Sequence, residues 1–285
     1  MRLCRYDDNR LGVVRDDQVF DVTAALDKLP SLRWPLPPGD LLIANLAKLK
    51  PEIEKLARGN TSKSIHEVKF LSPVANPSKI VAAPVNYQKH IDESKVDKGI
   101  NFGNEIKTID YYGVFLKSSS ALVGAGEGVA LRFTDRRNDH EAELGVVIGK
   151  KADRVSRSDA MNYVAGYSIA LDMTVRGTED RSLRKSLDTY AVLGPWLVTA
   201  DEIKDPGNIE FSIHVNEELR QKANTRDLIF DIPKLIEYAS SFYALNPGDI
   251  IMTGTPEGVG PVKPGDVMHV EFQEIGKMDV KVRAA

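Results

Sequence analysis

The sequence predicts an α+β fold dominated by strands, a sandwich, barrel or roll with a small α/β appendage at its N-terminus. Three observations point there. Many short stretches have strand patterning and few have helical spacing. A proline-containing break sets residues 1–72 apart from residues 73–285. One run, His140-Glu141-Ala142-Glu143-Leu144-Gly145-Val146-Val147-Ile148-Gly149, embeds two acids in strand-like apolar sequence. The 285 residues are 42% hydrophobic and 28% charged, an ordinary globular balance with ample material for a core. A formal net charge of -3 gives no electrostatic reason to expect nucleic acid or an anionic membrane as partner. No run approaches the ~20 apolar residues that span a bilayer, so a cytosolic enzyme acting on a small molecule is the expectation. Cys4 is the only cysteine, which rules out intramolecular disulfides and multi-Cys zinc sites. Any metal is therefore expected on oxygen or imidazole.

Taken in order, residues 3–6, 11–14 and 19–22 read as short strands divided by Asp-Asn and Asp-Asp turns. Pro35, Pro37, Pro38 and Gly39 break the chain before a helical pattern of Leu42, Leu46, Leu49, Ile53 and Leu56. Pro51 inside it predicts a kink or two short helices, and Gly59-Asn60 a stop. Asn60-Thr61-Ser62 matches a glycosylation acceptor, but with no secretory signal it reads as chance. Pro73 and Pro77 mark a linker. Beyond it, residues 79–83 read as a buried strand and 87–95 as a short helix that puts His90 and Glu93, at i and i+3, on one face. Residues 97–112 are polar with weak periodicity and predict a mobile loop, a segment type that can serve as a lid. Strand signals then dominate through the Glu141 and Glu143 run. Ser156 to Asp159 read as a capping box for a helix through Tyr163. Residues 164–175 form a strand on which Ser168, Ala170 and Asp172 share a face. A hairpin follows at 211–222. Then comes a helix over 233–243, with Pro233 in its first turn and Leu235, Ile236, Ala239 and Phe242 on its apolar side. Two alternating strands, 267–272 and 278–282, end the chain.

On a strand, Glu141 and Glu143 project side by side, and two neighbouring carboxylates need a cation, a shared proton or water. Alone, the pair is best explained by a solvated strand face. Other motifs carry less. Gly124-Ala125-Gly126-Glu127-Gly128 leads into strand-like sequence and lacks the helix N-terminus of a dinucleotide site. Gly254-Thr255-Pro256-Glu257-Gly258-Val259-Gly260 lacks the Lys-Ser/Thr of a phosphate loop. Ser118-Ser119-Ser120 has no nucleophile elbow around it. His66, His140, His214 and His269 lack zinc spacings and read as core or surface histidines. What survives is three acids, Glu141, Glu143 and Asp172, followed by the cations Arg176 and Lys185. Three carboxylates with positions left for water and substrate suit Mg²⁺ or Mn²⁺. Such an ion would cancel the repulsion and act as a Lewis acid.

In this order the motifs resemble the fumarylacetoacetate hydrolase family, from about Pro73 to the C-terminus. They are Asn86-Tyr87 with His90 and Glu93; Phe115-Leu116-Lys117; Ser120-Ala121-Leu122-Val123-Gly124; and His140-Glu141-Ala142-Glu143-Leu144. Val164-Ala165-Gly166-Tyr167 then leads to Asp172, followed by Lys185 with Asp188-Thr189, Leu193-Gly194-Pro195-Trp196, Gln221 with Asn224-Thr225, Pro247-Gly248-Asp249 and Thr253-Gly254-Thr255-Pro256. The resemblance implies a mixed β-sandwich roll, a homodimer, and Mg²⁺ or Mn²⁺ on Glu141, Glu143 and Asp172. It also implies that the segment with His90 and Glu93 orders over substrate, that Lys185 and Arg176 contact substrate, and that Thr255 comes from a loop lining the pocket. Residues 1–72 resemble the N-terminal region of longer members. The chain departs from the family pattern at Pro84, where glycine is common, and at Ser118 and Ser119, where prolines are. Its segment between Asp172 and Lys185 is short, and Glu179 falls near a position usually held by glutamine, which places an acid where the resemblance implies an amide in contact with the substrate carboxylate. The expected activity is hydrolysis of a carbon-carbon bond in a 2,4-dioxo acid of the acylpyruvate type, with water activated by His90 and Glu93. The alternatives are decarboxylation of a β-keto acid such as oxaloacetate, and non-catalytic binding of a 2-oxo acid.

Overall fold

The computed structural model describes residues 1–59 and 61–285. Asn60, part of both the predicted stop and the acceptor match, lies outside the described residues. The strand Ala142–Ile148 is buried along its whole length because each of its faces meets a different layer. Ala142, Leu144, Val146 and Ile148 join Ile169 and Leu171 in a core shared with Met268, Val270, Phe272, Met278, Val280 and Val282. On the other face, Val147 joins Ala170, Ile250 and Met252 in a second core with Ile43, Leu46, Leu49 and Ile53. A strand covered on both sides has no wet face to keep polar, which accounts for the nearly continuous apolar run.

Among the described residues one large sheet has 12 strands. Along its main path it runs Ser62–Ser64, Gln18–Asp21, Arg10–Arg15, Arg2–Tyr6, Ala191–Thr199, Val164–Asp172, Ala142–Ile148, Ile250–Met252, Ile80–Ala82 and Phe115–Lys117. A second sheet has five strands, Glu218–Asn224, Glu210–Val215, Val267–Phe272, Gly276–Ala284 and Val129–Leu131, and provides the opposing layer of the larger core. A third, of three short strands, places Asn138–His140 between Thr174–Val175 and Gly260–Pro261. Among the described residues, the strands of 1–72 join the large sheet rather than forming one of their own. Arg2–Tyr6 pairs antiparallel with Ala191–Thr199 and so covers an edge that would otherwise be open, while the helix Leu41–Gly59 packs its apolar face into the second core.

Several local expectations change. Pro51 lies inside one unbroken helix of 19 residues. Proline releases the carbonyl four residues earlier, and Ala47 is exposed, so water can take that partner. Residues 97–112 contain two helical turns, Lys98–Asn101 and Ile109–Tyr112, too short to show a sequence period. The first is closed by Asn101, whose amide donates to the Ser94 and Lys95 carbonyls and whose oxygen accepts from Gly103. Ser156 and Asp159 hydrogen-bond to each other in a turn, and only a 3₁₀ segment, Ala160–Tyr163, follows. In the helix Ile232–Phe242, Leu235, Ile236 and Ala239 are buried as expected. Phe242 is instead exposed and packs against Tyr238. Among the described residues no helix is long and apolar enough to cross a membrane.

Candidate active site

The run expected as one strand divides at Glu141. Before it Asn138–His140 belongs to the small sheet, after it Ala142–Ile148 belongs to the large one, and Glu141 sits at the change of partner. Glu143 stands opposite Ala170, so it shares a face with Asp172 two residues further along the neighbouring strand. One oxygen from each of Glu141, Glu143 and Asp172 lies within 4.8 Å of the others, and all three residues are buried. The solvated face expected of the isolated pair is absent, and the cost of burying it falls on neighbouring donors.

Glu141 accepts from Arg176 Nη2 at 3.0 Å, Thr174 Oγ1 at 3.1 Å and Lys185 Nζ at 2.6 Å. Asp172 accepts from Lys185 Nζ at 2.7 Å and from Lys117, whose ammonium also donates to the Lys185 carbonyl. Thr174 Oγ1, 2.6 Å from Lys185 Nζ, completes three contacts for that ammonium. Burial alone would raise the Glu141 carboxyl, but Lys185 and Arg176 overcome it and hold the group well below the usual carboxylate range. Glu143 goes the other way. Burial, reinforced by Asp172 and Glu141, pushes it well above its ordinary value, with Lys185 and the Gly254 N–H, 2.7 Å away, opposing. Glu143 makes no ion pair among the described residues, so it is the one acid of the three without a basic partner. Buried, converging and all oxygen, this donor set fits a hard divalent cation.

Across the cavity from these acids is the predicted pair on the helix Gln88–Val96. His90 Nδ1 lies 2.9 Å from Glu93 Oε2, and Glu93 Oε1 accepts from the Gly258 N–H at 2.9 Å. A carboxylate can only accept, so Glu93 fixes the proton on Nδ1 and leaves Nε2 free to take one. Gln221 ties that glycine-containing loop to the acidic strand. Its oxygen accepts from Ala142 N at 3.0 Å, and its amide donates to Thr255 Oγ1 and the Pro256 carbonyl, both at 2.8 Å. Just before the helix, Val85 has φ of 45°, a costly conformation for a β-branched residue. Asn86 pins this turn, its side chain bonding Phe230 N, Phe230 O and Thr253 O.

The helix end is also linked to the acids. Asp97 binds Arg137 Nη1 at 2.9 Å, Arg137 Nε binds Asp139 at 2.8 Å, Asp139 binds Arg176 Nε at 2.7 Å, and Arg176 reaches Glu141. This chain of charges fastens the 97–112 segment over the cavity, where Ile100, Ile106 and Tyr112 form a wall.

The cavity, about 80 Å³, suits a small acid. Every site residue expected from the sequence except Glu93 lines it: His90, Glu141, Glu143, Asp172, Arg176, Lys185 and Thr255. Glu93 stands behind His90. Glu179, expected near the substrate, is not among the lining residues; it is exposed and paired with Arg136 at 2.9 Å. Ser118 is exposed and caps a turn, whereas Pro84 does line the cavity. His140 is buried, and burial lowers its ring to about 4, so it stays neutral. Lys117, Arg181 and Arg184 had no role assigned from sequence, yet the first holds Asp172 and the other two line the cavity.

A family model described as fumarylacetoacetate (FAA) hydrolase C-terminal matches residues 79–283. Over 286 aligned residues the chain is 55% identical to maleylpyruvate hydrolase of Aquipseudomonas alcaligenes, with 100% of both chains covered. It is 36% identical to the mitochondrial oxaloacetate tautomerase Fahd2a of Rattus norvegicus, over 85% of this chain and 83% of that one. Among solved structures, maleylpyruvate hydrolase from Sphingobium sp. SYK-6 in complex with manganese (II) ion and pyruvate superposes with a TM-score of 0.84 at 42% identity, covering 100% of both chains. The overall fold is thus shared with that structure, and the chain belongs to the fumarylacetoacetate hydrolase family.

Proposed function

We propose that the protein is a divalent-metal-dependent hydrolase that cleaves the carbon-carbon bond of 2,4-dioxo acids of the acylpyruvate type. The observation that carries this reading is the His90–Glu93 pair, held across a small cavity from three buried carboxylates. Mg²⁺ or Mn²⁺ on Glu141, Glu143 and Asp172 would supply charge neutralisation and Lewis acidity for a 2-oxo acid. Glu93 keeps the His90 proton on Nδ1, and Nε2 removes a proton from water. The resulting hydroxide attacks the 4-oxo carbon. The bond between C3 and C4 then breaks, its electron pair passing to the pyruvate fragment, which takes up a proton to give pyruvate. The acyl fragment leaves as a carboxylic acid. Of the two cations expected at the substrate, Lys185 is occupied by Glu141, Asp172 and Thr174, whereas Arg176 has Nη1 without a partner among the described residues and can donate to a developing oxyanion. Thr255 holds the loop against the Ala142 carbonyl at 3.0 Å and forms part of the wall.

Decarboxylation needs no water and would leave the His90–Glu93 pair without a task, so the geometry favours hydrolysis. The deciding assay measures pyruvate and carbon dioxide from a panel of acylpyruvates and oxaloacetate, with Mn²⁺ or with chelator. Metal-dependent pyruvate without carbon dioxide from an acylpyruvate is expected. Pyruvate with carbon dioxide from oxaloacetate alone would refute hydrolysis, and tight binding without turnover would leave a binding protein. A homodimer in the cytosol belongs to the same proposal. Family membership supports the first and the single, buried Cys4 fits the second. Light scattering on the eluted protein tests the dimer, and a monomer mass would refute it.

A further inference from the structure

Three residues lining the cavity carry a hydroxyl group, Ser94, Tyr112 and Thr255, and two of those hydroxyls are already engaged. Tyr112 Oη accepts from the Lys107 N–H at 3.2 Å and donates to the Glu105 carbonyl at 3.3 Å. Thr255 Oγ1 accepts from Gln221 at 2.8 Å and donates to the Ala142 carbonyl at 3.0 Å. Ser94 Oγ is buried and makes no hydrogen bond among the described residues. A serine inside a helix can turn its hydroxyl onto the carbonyl one turn back. For Ser94 that carbonyl belongs to His90, and the bond is not made.

Such a hydroxyl is a cost to the fold. Alanine in its place would remove an unsatisfied polar group and raise helix propensity. Nor is the residue loosely held, since its carbonyl accepts from Asn101 Nδ2 at 2.9 Å. The serine is 1% exposed, so a partner for Oγ has to come from what the cavity binds.

Position on the helix indicates which partner. Ser94 follows His90 by four residues on Gln88–Val96, so the two side chains are neighbours on the face that lines the cavity. In the hydrolytic reaction His90 Nε2 takes one hydrogen of the attacking water, and a lone pair of that water has to point at the carbon under attack. The second hydrogen then needs an acceptor. Glu93 cannot serve, because its two oxygens are committed to His90 and to the Gly258 N–H. Ser94 Oγ, on the same helix face, is uncommitted.

We propose that Ser94 is a further catalytic residue, whose Oγ accepts the second hydrogen of the water that His90 deprotonates and so aims the lone pair at the 4-oxo carbon. This rests on the hydrolase reading above and adds the group that orients its nucleophile. One O–H bond of the water breaks, with its proton passing to Nε2, and the other stays intact, so Ser94 neither gains nor loses a proton.

The test measures pyruvate release from acetylpyruvate and succinylpyruvate with Mn²⁺. Ser94→Ala should lower kcat about tenfold, the worth of one hydrogen bond, with KM unchanged. Its Tm in chelator should equal or exceed that of the unsubstituted protein, and its Mn²⁺ shift in Tm should be retained. Ser94→Cys, whose sulfur is a weak acceptor, should be as slow and gives a second variant should the first fold poorly. In a His90→Ala background, Ser94→Ala should cost less than twofold more, because the water then has no base to be aimed from. Unchanged kcat in both variants overturns the role, as does a loss confined to KM, a loss accompanied by a lower Tm in both variants, or a full tenfold loss on the His90→Ala background. Each of these leaves the hydrolase reading intact, since the unsubstituted protein still releases pyruvate. Hydrolysis of neither substrate by the unsubstituted protein overturns the reaction and the inference together.

Discussion

Replacing Glu143 with glutamine keeps the side chain's shape and its bond from the Gly254 N–H, and removes the acid of the cluster that has no basic partner. Two effects of opposite sign should follow. In chelator, the variant should be more stable than the unsubstituted protein at neutral and alkaline pH, by about 1–3 kcal/mol, the cost of an uncompensated buried group. The sign follows from proton linkage. Burial, Asp172 and Glu141 place the folded Glu143 above its ordinary 4.5, so the native chain retains a proton that the unfolded chain gives up. Its contribution to stability is full below 4.5 and is lost as pH rises through the folded value. The advantage of Glu143→Gln should therefore widen with increasing pH. With Mn²⁺ the order reverses. Binding to the native state at 100 times Kd adds about 2.7 kcal/mol to the unsubstituted protein, which at ~2–4 °C per kcal/mol raises Tm by about 5–10 °C. The variant, lacking one of three carboxylates, should show little of this. Calorimetry across a pH series, in chelator and in Mn²⁺, reads both effects. A variant less stable than the parent in alkaline chelator, or one keeping the full Mn²⁺ shift, would refute the account of the cluster.

Three further outcomes test other parts of the site. His90→Ala should lower acylpyruvate hydrolysis about 10²–10⁴-fold and leave the Mn²⁺ shift in Tm unchanged; normal turnover would remove His90 from its role. Asp97→Asn weakens the fastening of residues 97–112 to Arg137, a part-exposed pair worth about 1 kcal/mol. Steady-state kinetics should show KM rising about fivefold with kcat little altered, and a fall in kcat alone would contradict a closing role. Asn86→Ala strands buried partners at Phe230 and Thr253, and urea unfolding should register a loss of about 3 kcal/mol; a loss below 1 kcal/mol would mean that the turn holds itself.

What the sequence disclosed depended on whether a pattern repeats within one element. The strands Val267–Phe272 and Gly276–Ala284 were legible because one face is wet, which imposes alternation on neighbouring residues. His90 and Glu93 were legible as a pair because a helix turn brings i and i+3 together. Pairing between distant segments leaves no such local trace. Nothing in residues 2–6 says that they will cover the edge of Ala191–Thr199 rather than form a separate sheet. Nor does anything near Lys117 reveal that its ammonium will meet Asp172. In the five-residue helix Arg181–Lys185 there is too little length for a period, so the sequence did not show which cations would face the cavity.

The local reading of the acids failed in an informative way. As a strand face, Glu141 and Glu143 look like solvent-facing residues; in the fold, both are buried, and their charge determines what the surrounding cations can do. Lys185 and most of Arg176, expected at the substrate from the family pattern, are occupied by Glu141, Asp172 and Asp139. Glu179, expected beside them, pairs with Arg136 instead. That diversion removes an acid that could have neutralised Arg181 or Arg184, and Arg184 receives only the Glu179 backbone carbonyl. The same segment in which the chain departs from the family pattern therefore turns a neutralising side chain away and leaves two guanidinium groups in the cavity. Glu179→Ala should consequently change kcat/KM for an acylpyruvate by less than about twofold, because its carboxylate is committed to Arg136 outside the site. A loss of about tenfold or more would show that Glu179 acts at the substrate, against its pairing with Arg136.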